Sequence, residues 1–119
     1  MKKDNSVQIK SYAFARRIIK VYKYLSVEKK VFVLSKQLLI SGTSIGAIIG
    51  EAIGGQSEKD FYAKFTISYK ETRETHYWIR LLKDSNYLSE EEARSLLKDT
   101  DELLRPLVLF RKHFVIPNL

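Results

Sequence analysis

Apolar residues recur at helical spacing along almost the whole chain, and this periodicity constrains the fold more than any other feature. In the first segment, residues at steps of seven, four, three and four share one helix face: Val7, Phe14, Ile18, Val21 and Leu25. Because only five glycines and two prolines interrupt the 119 residues, the composition argues against a turn-rich β-sandwich. The periodicity therefore predicts an all-α chain.

Breaks in this pattern divide the chain into four predicted helices. Their approximate bounds are 8–25, 27–53, 58–85 and 90–114. Ser26, Ser57 and Ser89 precede the last three helices as candidate N-caps, and Ser89 can form a capping box with Glu92. Because the loops are short, successive helices are expected to run antiparallel. The sequence predicts a single domain over residues 1–119, an antiparallel up-down-up-down four-helix bundle.

A proline lies inside the fourth predicted helix. Pro106 lacks a backbone N–H, and its ring clashes with the preceding turn of a regular helix. We therefore expect a kink or a split near Leu104.

Four of the five glycines form one row on the second predicted helix: Gly42, Gly46, Gly50 and Gly54. Glycine in a helix interior costs about 1 kcal/mol relative to alanine, so the row favours a face that another helix approaches closely. A phosphate-binding loop is the alternative interpretation. It needs irregular glycine spacing between a strand and a helix together with a Lys-Ser/Thr pair, and the sequence has neither.

The candidate for a membrane-spanning segment is the uncharged run of 14 residues between Lys36 and Glu51. A spanning helix needs about 20 predominantly apolar residues, and this run includes Gln37, Thr43 and Ser44. The chain also begins without the apolar core of a signal peptide. We therefore expect no membrane segment and a cytoplasmic location.

The third predicted helix carries two apolar faces. Phe61, Phe65 and Ile79 lie on one side, which suffices for packing in a monomeric bundle. A second set lies roughly opposite and predicts burial against another subunit. These candidates for an oligomer interface are Ala63, Ile67, Trp78 and Leu81.

Side chains that could carry catalysis do not converge in the sequence. There is no cysteine, and the two histidines, His76 and His113, fall on different helices without a metal-binding spacing. Glu71 and Glu74 lie one turn apart, and salt bridges to nearby basic residues explain them without a catalytic role. We predict no catalytic residues, no metal site and no cofactor, and therefore a protein that is not an enzyme.

The charge is concentrated in the first third of the chain. The net charge of the protein is +7, yet residues 1–40 hold ten basic and two acidic residues, and the remainder holds 11 basic and 12 acidic ones. A basic helix face favours RNA or DNA as a partner, with an acidic protein or an anionic membrane surface as alternatives. The candidate nucleic-acid-binding residues are Arg16, Arg17, Lys20, Lys23, Lys29, Lys30 and Lys36.

Four segments together resemble a known bacterial family. They are QLLISGTSIGAIIGEA at 37–52, KDFYAKF at 59–65, KETRET at 70–75 and YWIRLL at 77–82. The pattern is similar to the four-helix-bundle proteins first known from intervening sequences in 23S ribosomal RNA genes, a family that includes the accessory variability proteins of diversity-generating retroelements. The resemblance extends from about residue 10 to residue 114.

The resemblance implies an antiparallel four-helix bundle that assembles into a ring-shaped homopentamer, a non-enzymatic role, and RNA or DNA binding. In the retroelement branch the ring binds a reverse transcriptase, so an adaptor ring that docks an acidic protein partner of that kind is the alternative function. Two positions depart from the family pattern, because Ile40 replaces a basic residue and Ile48 replaces an asparagine. Charge-driven binding is therefore expected to rest mainly on the first helix and the turn after it.

Overall fold

Long helices occupy most of the protein in a computed structural model that describes the backbone of residues 2–55 and 57–115 and the side chains of residues 6–55 and 57–109. Within these residues the elements are α1 (Lys2–Lys23), a short π-helix (Tyr24–Glu28), α2 (Val33–Ile53), α3 (Glu58–Asp84) and α4 (Glu90–Val115). The prediction of an all-α fold is confirmed, because no strand occurs in this part of the chain.

The helices pack as an antiparallel bundle measuring 45 × 27 × 22 Å. Each helix contacts the next one extensively, whereas α1 and α4 touch each other at few places. Side chains in register show the antiparallel order: Lys64 of α3 bonds to Glu51 of α2, and Ser68, one turn later, bonds to the earlier residue Ile45. The up-down-up-down arrangement predicted from the short loops is confirmed.

Apolar side chains from all four helices fill the core. Ile18 of α1, Leu38 of α2, Ile79 of α3 and Leu96 of α4 are each at most 1% exposed. Burying one such side chain stabilises the fold by roughly 1.5–3 kcal/mol. Hydroxyls buried among them donate to backbone carbonyls, as Ser68 Oγ does to the Ile45 oxygen at 3.1 Å. The hydrogen bond removes the penalty of burying a polar group.

Glycines bring α1 and α2 into close contact. A Cβ atom at Gly42 would lie 2.9 Å from side-chain atoms of Ile18, and one at Gly46 would lie 3.3 Å from the backbone of Ser11. A Cβ at Gly50 would meet no atom within 4 Å, and Gly54 follows the end of α2. The expected close approach of a neighbouring helix therefore occurs at Gly42 and Gly46 and not along the whole row.

Two of the three expected caps are present. The Ser57 hydroxyl accepts the backbone N–H of Asp60 at 3.0 Å. Ser89 and Glu92 form both bonds of the capping box, at 3.0 and 2.9 Å. The third expectation is wrong, because the Ser26 hydroxyl donates to the carbonyl of Tyr22 at 2.7 Å and lies inside the π-helix that extends α1.

The second helix consequently begins later than the spacing predicts, at Val33 rather than near residue 27. Its N-cap residue, Phe32, makes no side-chain cap bond, so the usual sequence signal for a helix start is missing. Lys30 ends the preceding segment in a left-handed conformation, with φ 59°. This conformation reverses the chain between α1 and α2.

Pro106 does not split the fourth helix. α4 continues from Glu90 through the proline to Val115. Leu103 precedes the proline and Leu107 follows it. These two side chains are 2% and 0% exposed and hold this part of α4 against the core. Their burial offsets the missing backbone hydrogen bond.

Among the helices that the structure describes, α2 alone is long and apolar enough to cross a membrane. It packs between α1 and α3, and the buried face that it contributes to the core includes Leu38, Ile45 and Ile49. Packing within the bundle therefore accounts for part of its apolar composition, while Val33 and Ile40 remain exposed. The cytoplasmic location stays a prediction.

Candidate nucleic-acid interface

The seven basic candidates lie toward one end of the bundle and are all exposed. Four of them belong to the second half of α1: Arg16, Arg17, Lys20 and Lys23. Lys29 and Lys30 follow the π-helix, and Lys36 lies in the first turn of α2. Because α1 and α2 are antiparallel neighbours, the end of one and the start of the other place these cations close together.

Arg17 differs from the other candidates because α4 engages it. Its guanidinium donates to the carboxylate of Asp99 and to Ser95 Oγ, the latter at 2.9 Å. These bonds link α1 to α4 where the two helices otherwise share few contacts. The side chain of Arg17 therefore has a structural role in addition to the predicted one.

The other three candidates on α1 make no such link among the described side chains. Within the described side chains, Arg16, Lys20 and Lys23 take part in no ion pair. Lys20 lines a cleft of about 340 Å³ between α1 and the start of α4, which Leu88, Leu96 and the carboxylate-bearing Glu92 also line, although Lys20 and Glu92 form no ion pair. Cations without an internal partner present their full charge to solvent, which is the arrangement that a phosphate backbone requires.

The α1–α2 junction, residues 24–33, carries the predicted cations Lys29 and Lys30 together with exposed apolar side chains that the sequence pattern does not predict. Three apolar side chains are strongly exposed there: Val27 at 64%, Phe32 at 63% and Val33 at 73%. The ammonium group of Lys29 lies 5.8 Å from the ring centroid of Tyr24. The exposure of Val27 and Phe32 departs from the predicted helix from residue 27, because the chain turns here and α2 begins only at Val33.

The four interface candidates on α3 do not form one exposed stripe. Ala63 is exposed and Ile67 is 45% exposed, but Trp78 and Leu81 are only half-exposed. Trp78 packs against the core, and its indole N–H donates to Glu74 Oε2 at 3.1 Å. Of the four candidates, Ala63 and Ile67 are therefore the exposed ones.

Titratable groups on α3 have shifted pKa values without forming a catalytic constellation. Burial, aided by the nearby charge of Glu74, raises the pKa of Glu71. Burial lowers the pKa of His76, and the positive charges of Arg80 and Arg73 act in the same direction against the opposing effect of Asp101. Among the described residues, no three metal-ligating side chains lie close enough to hold an ion, and the side chain of His113 lies outside those residues.

Comparison with known proteins identifies the family. The model of the 23S rRNA-intervening sequence proteins matches residues 3–108. The chain belongs to this family. It is also similar to a crystallised protein of unknown function from the S23 ribosomal protein family of Bacteroides thetaiotaomicron, at 47% identity and a TM-score of 0.90, over 92% of this chain and 98% of that one. No curated protein matches the sequence.

The match to the 23S rRNA-intervening sequence family agrees with the resemblance seen in the four sequence segments. The similarity to the Bacteroides protein covers almost its entire length, so the two proteins share the whole helical fold.

Proposed function

We propose that this member of the 23S rRNA-intervening sequence family is a non-enzymatic, oligomeric four-helix-bundle protein that binds RNA or DNA through its basic first helix. The observation that carries the proposal is the exposed half of α1, where Arg16, Lys20 and Lys23 have no acidic partner among the described side chains. A protein that only needed a solvated surface would pair or intersperse these cations with acidic residues.

Electrostatics favours a polyanion over a neutral partner. Residues 1–40 carry an excess of eight positive charges, while the rest of the chain is almost neutral. Lysine and arginine that neutralise phosphates release condensed counterions, which gives affinity without sequence preference. Binding of this kind requires neither a metal nor a cofactor.

Assembly would multiply the basic surface. We propose a homo-oligomer, a homopentamer on the resemblance described above, with α3 contributing Ala63, Ile67, Trp78 and Leu81 to the contact. The exposed Ile67 supports this assignment, since an apolar side chain gains from burial against a second copy. A ring with one basic helix per subunit would present a continuous positive surface.

Binding is tested by fluorescence anisotropy with a labelled 20-nucleotide RNA and the variant Arg16→Gln/Lys20→Gln/Lys23→Gln. We expect the affinity at 100 mM KCl to fall about tenfold or more, because three phosphate contacts are lost. The matched control neutralises three exposed lysines elsewhere, Lys59, Lys70 and Lys98, and should change the affinity by less than about threefold. Equal losses of affinity in both variants would show that binding depends on the net charge of the protein and not on the cations of α1.

Assembly is tested by light scattering of the variant Ile67→Glu. A charge at this exposed position should separate the subunits while circular dichroism keeps the helical signal, since Ile67 is not part of the monomer core. The control Ile40→Glu places the same charge on an exposed residue of α2 and should stay assembled. A monomeric wild-type protein would contradict the oligomer.

An adaptor that docks an acidic protein, such as a reverse transcriptase, is the second candidate function. The exposed Phe32 and Val33 favour it, because apolar side chains next to Lys36 match a partner surface that is apolar and acidic. Capture of one defined protein after nuclease treatment, lost in Phe32→Ser and kept in the variant Arg16→Gln/Lys20→Gln/Lys23→Gln, would favour the adaptor over nucleic-acid binding.

A further inference from the structure

One exposed row of α1 alternates apolar and basic side chains. Tyr12, Arg16, Ile19 and Lys23 follow each other at steps of four, three and four, which places them on one helix face, and the exposed Ile9 precedes them. Val27, in the π-helix, and Lys30, in the loop after it, follow at sequence steps of four and three. We call this set the α1 row: Tyr12, Arg16, Ile19, Lys23, Val27 and Lys30.

The apolar members of the α1 row are unusually open to solvent. Tyr12 is 70% exposed, Val27 is 64% exposed and Ile19 is 40% exposed. Single exposed apolar residues are ordinary on protein surfaces, but Tyr12 and Ile19 alternate with cations on one helix face, and the exposed Val27 follows in the π-helix. Arg16 and Lys23 lie roughly 10 Å apart along the helix axis, with Ile19 between them.

The alternation discriminates between classes of polyanion. A helix that lies on an anionic membrane separates its apolar and basic residues onto opposite faces, and here both share one row. A nucleic-acid duplex offers phosphates to the cations but keeps its bases stacked inside. A single strand itself alternates phosphates with exposed base faces, and such strands bind to cations combined with rings on which bases stack.

The backbone at the end of the row is unusual in two ways. The π-helix is closed by the Lys29 N–H, which donates to the Tyr24 carbonyl at 3.2 Å, and π-helices of this length often occur at functional sites. Lys30 adopts a left-handed conformation that glycine would adopt more easily. Strained backbone conformations cluster at functional sites, so Lys30 is a candidate for binding.

We propose that the α1 row is a track for single-stranded nucleic acid, in which Tyr12 stacks on a base, Ile19 and Val27 contact neighbouring bases, and Arg16, Lys23 and Lys30 bind the intervening phosphates. This inference rests on the proposed function and narrows its ligand from nucleic acid in general to single strands. The same positions would discriminate weakly among sequences, because every base has a face on which to stack.

Anisotropy with labelled dT20, and with a 20-base-pair duplex, tests the track in the full-length protein. We expect dT20 to bind more tightly than the duplex, and Tyr12→Ser to weaken dT20 binding by about fivefold or more. Val27→Ser should weaken dT20 binding by less, because valine has no ring on which a base stacks. Both substitutions should leave duplex binding within about twofold, because they remove no charge. Both residues are largely exposed, so neither variant should lose helical signal or thermal stability.

Polyphosphate provides the control for charge without bases. We expect it to compete with dT20 weakly and equally in the wild type and in Tyr12→Ser. If dT20, duplex and polyphosphate bind alike and Tyr12→Ser has no effect, the track is overturned while charge-driven nucleic-acid binding stands. If none of the three binds at low salt, the proposed function and the track both fail.

Discussion

The inner side of α1 is tightly packed against α2, whereas its outer side is open to solvent. On the inner side, a methyl group at Gly42 would clash with Ile18, and one at Gly46 would lie tightly against Ser11. On the outer side, Tyr12 is 70% exposed and the cations beside it have no acidic partner among the described side chains. The difference teaches that α1 separates its packing face from its exposed cations, so that each face can be changed without the other.

The largest effect on stability is expected where α1 meets α2. Gly42→Val introduces a Cβ 2.9 Å from the fully buried Ile18, which has no space to move, and we expect a loss of about 2–3 kcal/mol in the free energy of unfolding by urea. The control is Gly50→Ala, where no atom lies within 4 Å of the new methyl group. It should stabilise the protein by up to about 1 kcal/mol through helix propensity. Equal effects at both glycines would contradict the close packing.

Lys30 combines a strained backbone conformation with one of the candidate cations. One substitution there should therefore change both the stability and the proposed binding. Lys30→Gly should raise the free energy of unfolding by about 0.5–1 kcal/mol, the relief of the left-handed conformation less the entropy cost of glycine. The same variant should weaken dT20 binding. Asn86→Gly, at φ 67°, is the matched control and should gain less, since asparagine tolerates this conformation. A destabilised Lys30→Gly protein would show that the side chain itself supports the fold.

The flank of α1 that faces α4 should tolerate change better than the flank that faces α2. Arg17→Met removes the bonds to Asp99 and Ser95 but keeps the apolar stem. Both partners of the ion pair are partly exposed, so we expect a loss below about 1 kcal/mol in urea unfolding at low salt. In 1 M NaCl the difference from the wild type should shrink, and a loss as large as that of Gly42→Val would refute the comparison of the two flanks.

A smaller effect on stability is expected from a change of pH, through the titration of His76 on α3. Burial lowers the pKa of His76, so its imidazole takes up a proton at a lower pH in the folded protein than in the unfolded chain, where the usual value is about 6.5. The unfolded state therefore binds more protons as the pH falls below 7, and this group makes the protein less stable. The wild type should lose stability relative to His76→Gln between pH 7 and pH 5, as measured by thermal unfolding. A constant difference across this range would contradict the burial of the imidazole.

The helices and the core followed from the sequence because both depend on local spacing. Phe14, Ile18 and Leu38 are buried as their period predicts, and Ser57 and Ser89 cap their helices through bonds that span only three residues. The start of α2 could not be found in this way, because Phe32 makes no cap bond and the π-helix absorbs Ser26. A wider helical turn changes the hydrogen-bond pattern without changing the composition.

Only part of the candidate site can be predicted from the sequence. The exposure of Lys20 and Lys23 follows from their position opposite the apolar stripe. The engagement of Arg17 by Asp99, 82 residues away, depends on how α1 and α4 meet, and no local pattern encodes it. The openness of Val27 and Phe32 depends in the same way on where α1 ends and how the chain turns.

The salt dependence of dT20 binding tests the central claim most directly, namely that the outer side of α1 binds nucleic acid through phosphate contacts. The measurement is the slope of log K against log KCl concentration, for the wild type and for Arg16→Gln/Lys20→Gln/Lys23→Gln. Each phosphate contact to a single strand contributes about 0.7 to the slope, so the variant should have a slope shallower by about 2. Equal slopes in the two proteins, or wild-type binding that does not depend on salt, would contradict the account.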